Sequence, residues 1–93
     1  MEPAKTIRTA LVSKAMLGDV DAQSQLYMQY SRAMFNICTR MAGNSTDAQD
    51  ILQDAFMLAF KNLSQLKDHL TFGGWLRRIV VNECIRFSRA TFS

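Results

Sequence analysis

Three aspartates, Asp47, Asp50 and Asp54, recur at steps of three and four residues within the stretch "DAQDILQDAFMLAF". The same stretch sets Ile51, Leu52, Ala55, Phe56, Ala59 and Phe60 at the period of one buried helix face, so the carboxylates line the opposite side. Acids in a first helical turn are favoured by the helix dipole, by about 0.3–1 kcal/mol each, which accounts for Asp47 and extends at most to Asp50. Asp54 lies two turns in, where that effect has faded. Asp50, Gln53, Asp54, Met57 and Lys61 form one exposed strip containing a methionine. The spacing admits two readings: a solvated polar face, or a docking strip for a basic or amphipathic partner helix.

A second stripe has the opposite sign. Arg78, Asn82, Arg86 and Arg89 follow one another at steps of four, four and three. Guanidinium and amide groups contact phosphates and base edges, which makes the stripe a nucleic-acid candidate; a solvated basic face is the alternative. Phe72, Trp75 and Phe87 interleave with it, and Trp75 is expected in the core. The charges divide along the chain in the same sense. Residues 1–60 carry five basic and six acidic side chains, whereas residues 61–93 carry six basic and two acidic ones. The net charge of +3 therefore hides an asymmetry that charge alone reads equally as two surfaces for different partners, one of them a polyanion, or as a solvated basic face.

Other chemistries find little support. No paired catalytic groups, phosphate-cradling glycine loop or metal-ligand spacing is present, so the sequence predicts a binding protein that is not an enzyme and takes no cofactor. His69 is the only histidine. Cys38 and Cys84 sit singly within helical patterns and are expected as small buried hydrophobes. No apolar run approaches the ~18 residues of a membrane span, and no signal-like segment opens the chain. The expectation is a cytoplasmic protein without membrane insertion.

The elements that must position these residues read as helices. The 93-residue chain is the size of one small domain, and its 48% hydrophobic content suffices for a core. A first helix is predicted from near Pro3, with Ile7, Leu11 and Ala15 on one side, stopping at Gly18. Asp19 is placed to N-cap a long second helix carrying Leu26, Tyr30, Ala33, Met34, Ile37, Cys38 and Met41 in register, closed by Gly43. Thr46 and Gln49 have the spacing of a capping box for a third helix that runs to about Leu63. "SQLKDHLT" reads as a polar connector, and Thr71 as a cap for a fourth helix from about Phe72 to Arg89. Gly73 and Gly74 each cost roughly 1 kcal/mol in a helix, which allows a start as late as Trp75. No stretch keeps a strand period. The fold class is all-α, a compact bundle of about four helices.

The run "DAQDILQDAFMLAFKNL", the polar loop after it and "FGGWLRRIVVNECIRFSR" together resemble region 2 of the extracytoplasmic function (ECF) σ factors of bacterial RNA polymerase. The upstream "GDVDAQSQLYMQYSRAMFNICTRMAGNSTDAQD" is similar to the same family's opening, and the resemblance covers residues 11 to 89. It implies a σ region 2 fold over residues 1–93 and a role in transcription initiation. It further implies that Asp50, Gln53 and Asp54, with Met57 and Lys61 beside them, dock on a coiled coil of the β′ subunit of the polymerase core. The loop with Ser64, Gln65, Lys67, His69 and Thr71 would hold an unstacked base of the non-template strand at the −10 promoter element. Arg77, Arg78, Asn82, Arg86 and Arg89 would contact the adjacent promoter DNA, with Arg86 standing where the family commonly has an acid. An anti-σ factor is a further partner that the resemblance implies. Family members continue into a second helical domain, region 4, which is not expected within these 93 residues. The rival reading is a helical adaptor that binds a basic partner helix and no nucleic acid.

Overall fold

The computed structural model describes the backbone of residues 3–92 and the side chains of residues 7–90. Met1, Glu2 and Ser93, the ends of the expected 1–93 domain, lie outside the described residues. Four helices follow in chain order: α1 (Pro3–Met16), α2 (Val20–Ala42), α3 (Ser45–Lys61) and α4 (Phe72–Phe92). Two single-turn 3₁₀ segments, Leu63–Gln65 and His69–Thr71, join α3 to α4. The described residues form an all-α fold.

The breaks between helices follow local chemistry. Gly18 and Gly43 adopt left-handed φ values of 89° and 86°, which a β-carbon would oppose. The Asp19 side chain accepts the Ala22 backbone N–H at 3.0 Å and so starts α2 as its spacing predicts. The start of α3 differs from expectation. Its N-cap is Asn44, not Thr46: Asn44 Oδ1 accepts the Asp47 N–H at 2.8 Å, and Asn44 Nδ2 donates to Asp47 Oδ2 at 2.7 Å. Gly43 turns the chain so early that Asn44, the next cap-forming residue, already has the extended backbone a cap needs. α3 also stops before Leu63, because Asn62 folds its amide back onto the Leu58 carbonyl at 3.0 Å.

α2 is central. It packs against α1, α3 and α4, and α3 and α4 also pack against each other. Ala48, Ala55 and Ala59 are fully buried along α3, so neighbouring helices approach a nearly smooth ridge. Leu26, Cys38, Leu76 and Val80 fill the remaining interior. Two expected core positions are exposed instead: Ile7 at 59% and Met41 at 42%, each near a helix end with no neighbour among the described residues to cover it. Ala33 is exposed as well, on the outer side of α2. Cys38 and Cys84, expected as buried hydrophobes, are buried free thiols, and the fold brings them into contact across α2 and α4. Burial pushes the Cys38 thiol up to about 12, and the neighbouring Cys84 adds to the rise. Burial also raises Cys84.

The fourth helix begins at Phe72 with both glycines inside it, contrary to the late start that propensity allows. Thr71 does not cap it; its hydroxyl closes the preceding turn by donating to the Asp68 carbonyl at 2.6 Å. Phe72 is fully buried and meets the Tyr30 ring edge-on at 5.3 Å, so packing holds the first turn in place of a cap. No helix among the described residues is long and apolar enough to cross a membrane.

Candidate functional site

The acidic strip of α3 is real but divides. Asp47 is taken up by its bond with Asn44, which leaves Asp50 and Asp54 as exposed carboxylates without an ion pair among the described residues. Because the helix starts at Ser45, Asp50 falls in its second turn, and the dipole explains neither charge. Gln53, Met57 and Lys61 are exposed beside them.

Gln53 and Met57 border an open groove of about 620 Å³ between α3 and α2. Its far wall is Tyr27, Arg32 and Phe35 of α2, residues absent from the sequence-based site. The Tyr27 ring packs at a tilt of 59° against Phe56 of α3, centroids 4.7 Å apart, which fixes the groove's floor. The only sequence signal for this wall was an aromatic beside an arginine on the long second helix. Pairing of α2 with α3 is a tertiary fact that periodicity does not carry.

Asp54 and Lys61 edge a second hollow, of about 590 Å³, on the α4 side, where they meet Glu83 and Arg86. Met57 borders both hollows. It is 67% exposed and lies between the two groups of polar residues, an adaptable apolar point on a charged surface.

The basic stripe of α4 also divides. Gly74, Arg77, Arg78 and Asn82 share one shallow hollow. Arg86 lies instead in the hollow with Asp54 and Lys61, and its guanidinium stands 3.6 Å from the Glu83 carboxylate. Steps of four residues over-rotate a 3.6-residue helix by about 40° each, so two such steps carry Arg86 about 80° round from Arg78. Arg89 is exposed near the helix end.

The connecting loop is tightly built. Leu63 and Leu66 are buried beneath it, and Asp68 Oδ1 accepts the Leu70 N–H at 3.0 Å. Ser64, Gln65 and Lys67 are exposed, and their side chains make no hydrogen bond among the described residues. Thr71 is exposed, but its hydroxyl is engaged in the turn. His69 is half-buried, with Nδ1 3.0 Å from the Ser13 hydroxyl of α1. Leu70, 54% exposed, adds an apolar surface that a polar inventory of the loop overlooks.

α3, the loop after it and all of α4 but its last residue fall within residues 26–91, which match the family model of Sigma-70 region 2. This chain belongs to that family. The σ region 2 fold thus accounts for the order of its two motif-bearing helices, and similar proteins point to the ECF branch. The ECF RNA polymerase sigma factor SigW of Bacillus subtilis is 34% identical over 71 residues, 76% of this chain and 38% of that protein. SigM of Mycobacterium tuberculosis is 33% identical over 81 residues, 86% of this chain and 41% of its own. The ECF RNA polymerase sigma-E factor of Escherichia coli is 32% identical over 72 residues, 77% of this chain and 37% of its own. The chain thus spans about two fifths of the length of these curated relatives.

Proposed function

We propose that this σ region 2 domain acts in transcription initiation, docking on RNA polymerase core with α3 and engaging the −10 promoter element with the loop and α4. The observation that carries this reading is the family match across residues 26–91, which contains both charged surfaces and the loop joining them. Asp50, Gln53 and Asp54 would meet a basic or amphipathic helix, for which the β′ coiled coil is the candidate, with Met57 seated against its apolar side chains. Unpaired exposed carboxylates suit that role, since no internal partner must be given up on docking. The groove wall of Tyr27, Arg32 and Phe35 would widen the contact.

On the DNA side, Ser64, Gln65 and Lys67 are the loop groups whose side chains are open to a base, and Leu70 offers an apolar flank. A base turned out of its stack exposes its whole hydrogen-bonding edge, which an intact duplex shows only through a groove. Capturing it would offset part of the unstacking cost, since stacking contributes ~1–3 kcal/mol per base. Arg77, Arg78, Asn82 and Arg89 would hold the neighbouring phosphates. Arg86, already beside Glu83, is better situated to support the α3 side.

The test is to graft the loop of another ECF σ factor over residues 64–71 and assemble the chain with polymerase core. Binding is then measured to single-stranded oligonucleotides varied base by base through the −10 element. Base preference moves with the graft if the loop reads sequence. Equal weakening on every oligonucleotide, with preference unchanged, would reduce the loop to a connector.

A further inference from the structure

Between the buried Leu66 and the buried Phe72, the loop runs through Lys67, Asp68, His69, Leu70 and Thr71. Four of these five side chains are exposed, and His69 alone is half-buried. The polar bonds of the other residues stay within the loop: Asp68 holds the Leu70 N–H, and Thr71 holds the Asp68 carbonyl. Such bonds shape a turn without fixing where the turn sits on the molecule. The bond from His69 Nδ1 to Ser13 Oγ does fix it, because Ser13 lies 56 residues away on α1. α1 is itself anchored, with Leu11, Val12 and Ala15 buried on the neighbouring face of the same turns.

We infer that Ser13 and His69 form a latch by which α1 sets the position of the base-reading loop, making Ser13 a positioning residue for −10 recognition. The inference rests on the loop reading proposed above. Ser13 lies upstream of the residues that match the family model, so the latch ties the loop to a helix the match does not reach. It also gives His69 a role other than touching DNA: its Nδ1 is occupied by the hydroxyl, and its half-buried ring faces α1. The His69–Thr71 turn also packs along α1, but the Ser13 bond is the one side-chain hydrogen bond among the described residues that joins the loop to another helix. Its loss lets the loop shift, and a displaced donor no longer meets the base edge it should read.

The experiment uses the chain assembled with polymerase core and single-stranded oligonucleotides bearing the preferred −10 sequence or single-base variants of it. Ser13→Ala, which suits a helix, is expected to narrow the discrimination between preferred and variant bases by roughly threefold to tenfold, the scale of one lost hydrogen bond. Core affinity stays unchanged, and Ser13→Thr, which keeps the hydroxyl, retains discrimination. In the unbound chain, Ser13→Ala also quickens amide exchange at residues 67–71 and leaves α3 and α4 as they were. His69→Ala, which breaks the same bond from the loop side, should give the same loss. If His69→Ala removes discrimination while Ser13→Ala preserves it, the imidazole touches DNA itself and the latch is overturned. Unchanged discrimination in Ser13→Ala overturns the latch alone when the loop graft still moves base preference. If the graft moves nothing either, the loop reading falls and the latch falls with it.

Discussion

The ring of Tyr30 lies so close to Gly73 that a β-carbon there would stand 3.2 Å from Tyr30 Cε1, whereas one on Gly74 would meet nothing within 4 Å. Adjacent glycines in the same helical turn therefore serve different ends. Gly74→Ala should stabilise the fold by up to about 1 kcal/mol through helix propensity, raising the melting temperature by roughly 4–8 °C. Gly73→Ala gains the same propensity but must move the Tyr30 ring, so it should melt below Gly74→Ala. Equal melting temperatures would mean that Tyr30 yields without cost.

The cap of α3 offers a direct contrast. Asn44→Ala should cost about 0.5–2 kcal/mol, because it removes the acceptor for the Asp47 N–H. Thr46→Ala, inside the helix and exposed, should stay within ~0.5 kcal/mol. Urea denaturation of the two variants measures both, and a larger loss at Thr46 would return the cap to that residue.

For the α3 surface, the triple variant of Asp50, Gln53 and Asp54 to alanine should keep its helicity and stability while binding polymerase core at least tenfold more weakly, a change of ~1.4 kcal/mol. Each side chain is exposed and lacks an ion pair among the described residues, so the fold loses little. Undiminished affinity in a folded triple variant would show that α3 docks elsewhere or not at all.

On α4, the two arginine environments separate in their response to salt. Arg78→Ala should lower the slope of log affinity against log salt for promoter DNA by ~0.7–0.9, the share of one phosphate contact. Arg86→Ala should change it less, because that guanidinium lies on the α3 side beside Glu83. Slopes that fall equally would place both arginines against phosphate.

The two buried thiols give a dependence on alkaline pH. Both have folded values raised above the ordinary 9.0, Cys38 to about 12, so they contribute full stability below pH 9 and lose it as pH rises toward their folded values. The unfolded chain ionises first and is favoured. For Cys38, each pH unit between about 9 and 12 should cost ~1.4 kcal/mol. Melting measured from pH 8 to pH 11 should fall more steeply for the wild-type chain than for Cys38→Ala. Parallel curves would mean that the thiol ionises without unfolding.

What the sequence made legible was local. Asp19 and Gly43 mark the ends of α2 because a cap and a left-handed turn need only their own neighbours. The apolar period of α3 gives its buried face for the same reason. Some misjudged points are also local, since the turn at Gly43 moves the α3 cap to Asn44 and Thr71 bonds Asp68; what stayed out of reach depends on parts of the chain distant in sequence. Propensity left the start of α4 open between Phe72 and Trp75, and burial of Phe72 against Tyr30 holds it at Phe72. The contact of Cys38 with Cys84, and of Ser13 with His69, exists only once the helices are docked. Within the site, the strip on α3 was legible from side-chain type and spacing. Its α2 wall was not, because no period on one helix says which neighbour lies across from it. The charged stripe of α4 was legible as composition, yet the slow rotation of four-residue steps moved Arg86 into another setting.

Leu63 and Leu66 anchor a joint between α3 and α4 that contains two helical turns and little slack. In kinematic terms, α3 and α4 share one set of rigid-body coordinates. A partner that grips α3 thereby chooses the position and angle of α4 and the loop at the same moment. The entropy of orienting the molecule is lost once, at the first contact, and a second ligand held by that partner meets the other surface as an intramolecular event at high effective concentration. Lengthening the joint with flexible residues would leave α3 and α4 coupled through their direct packing and free only the loop, so the loop's ligand would then have to be found separately.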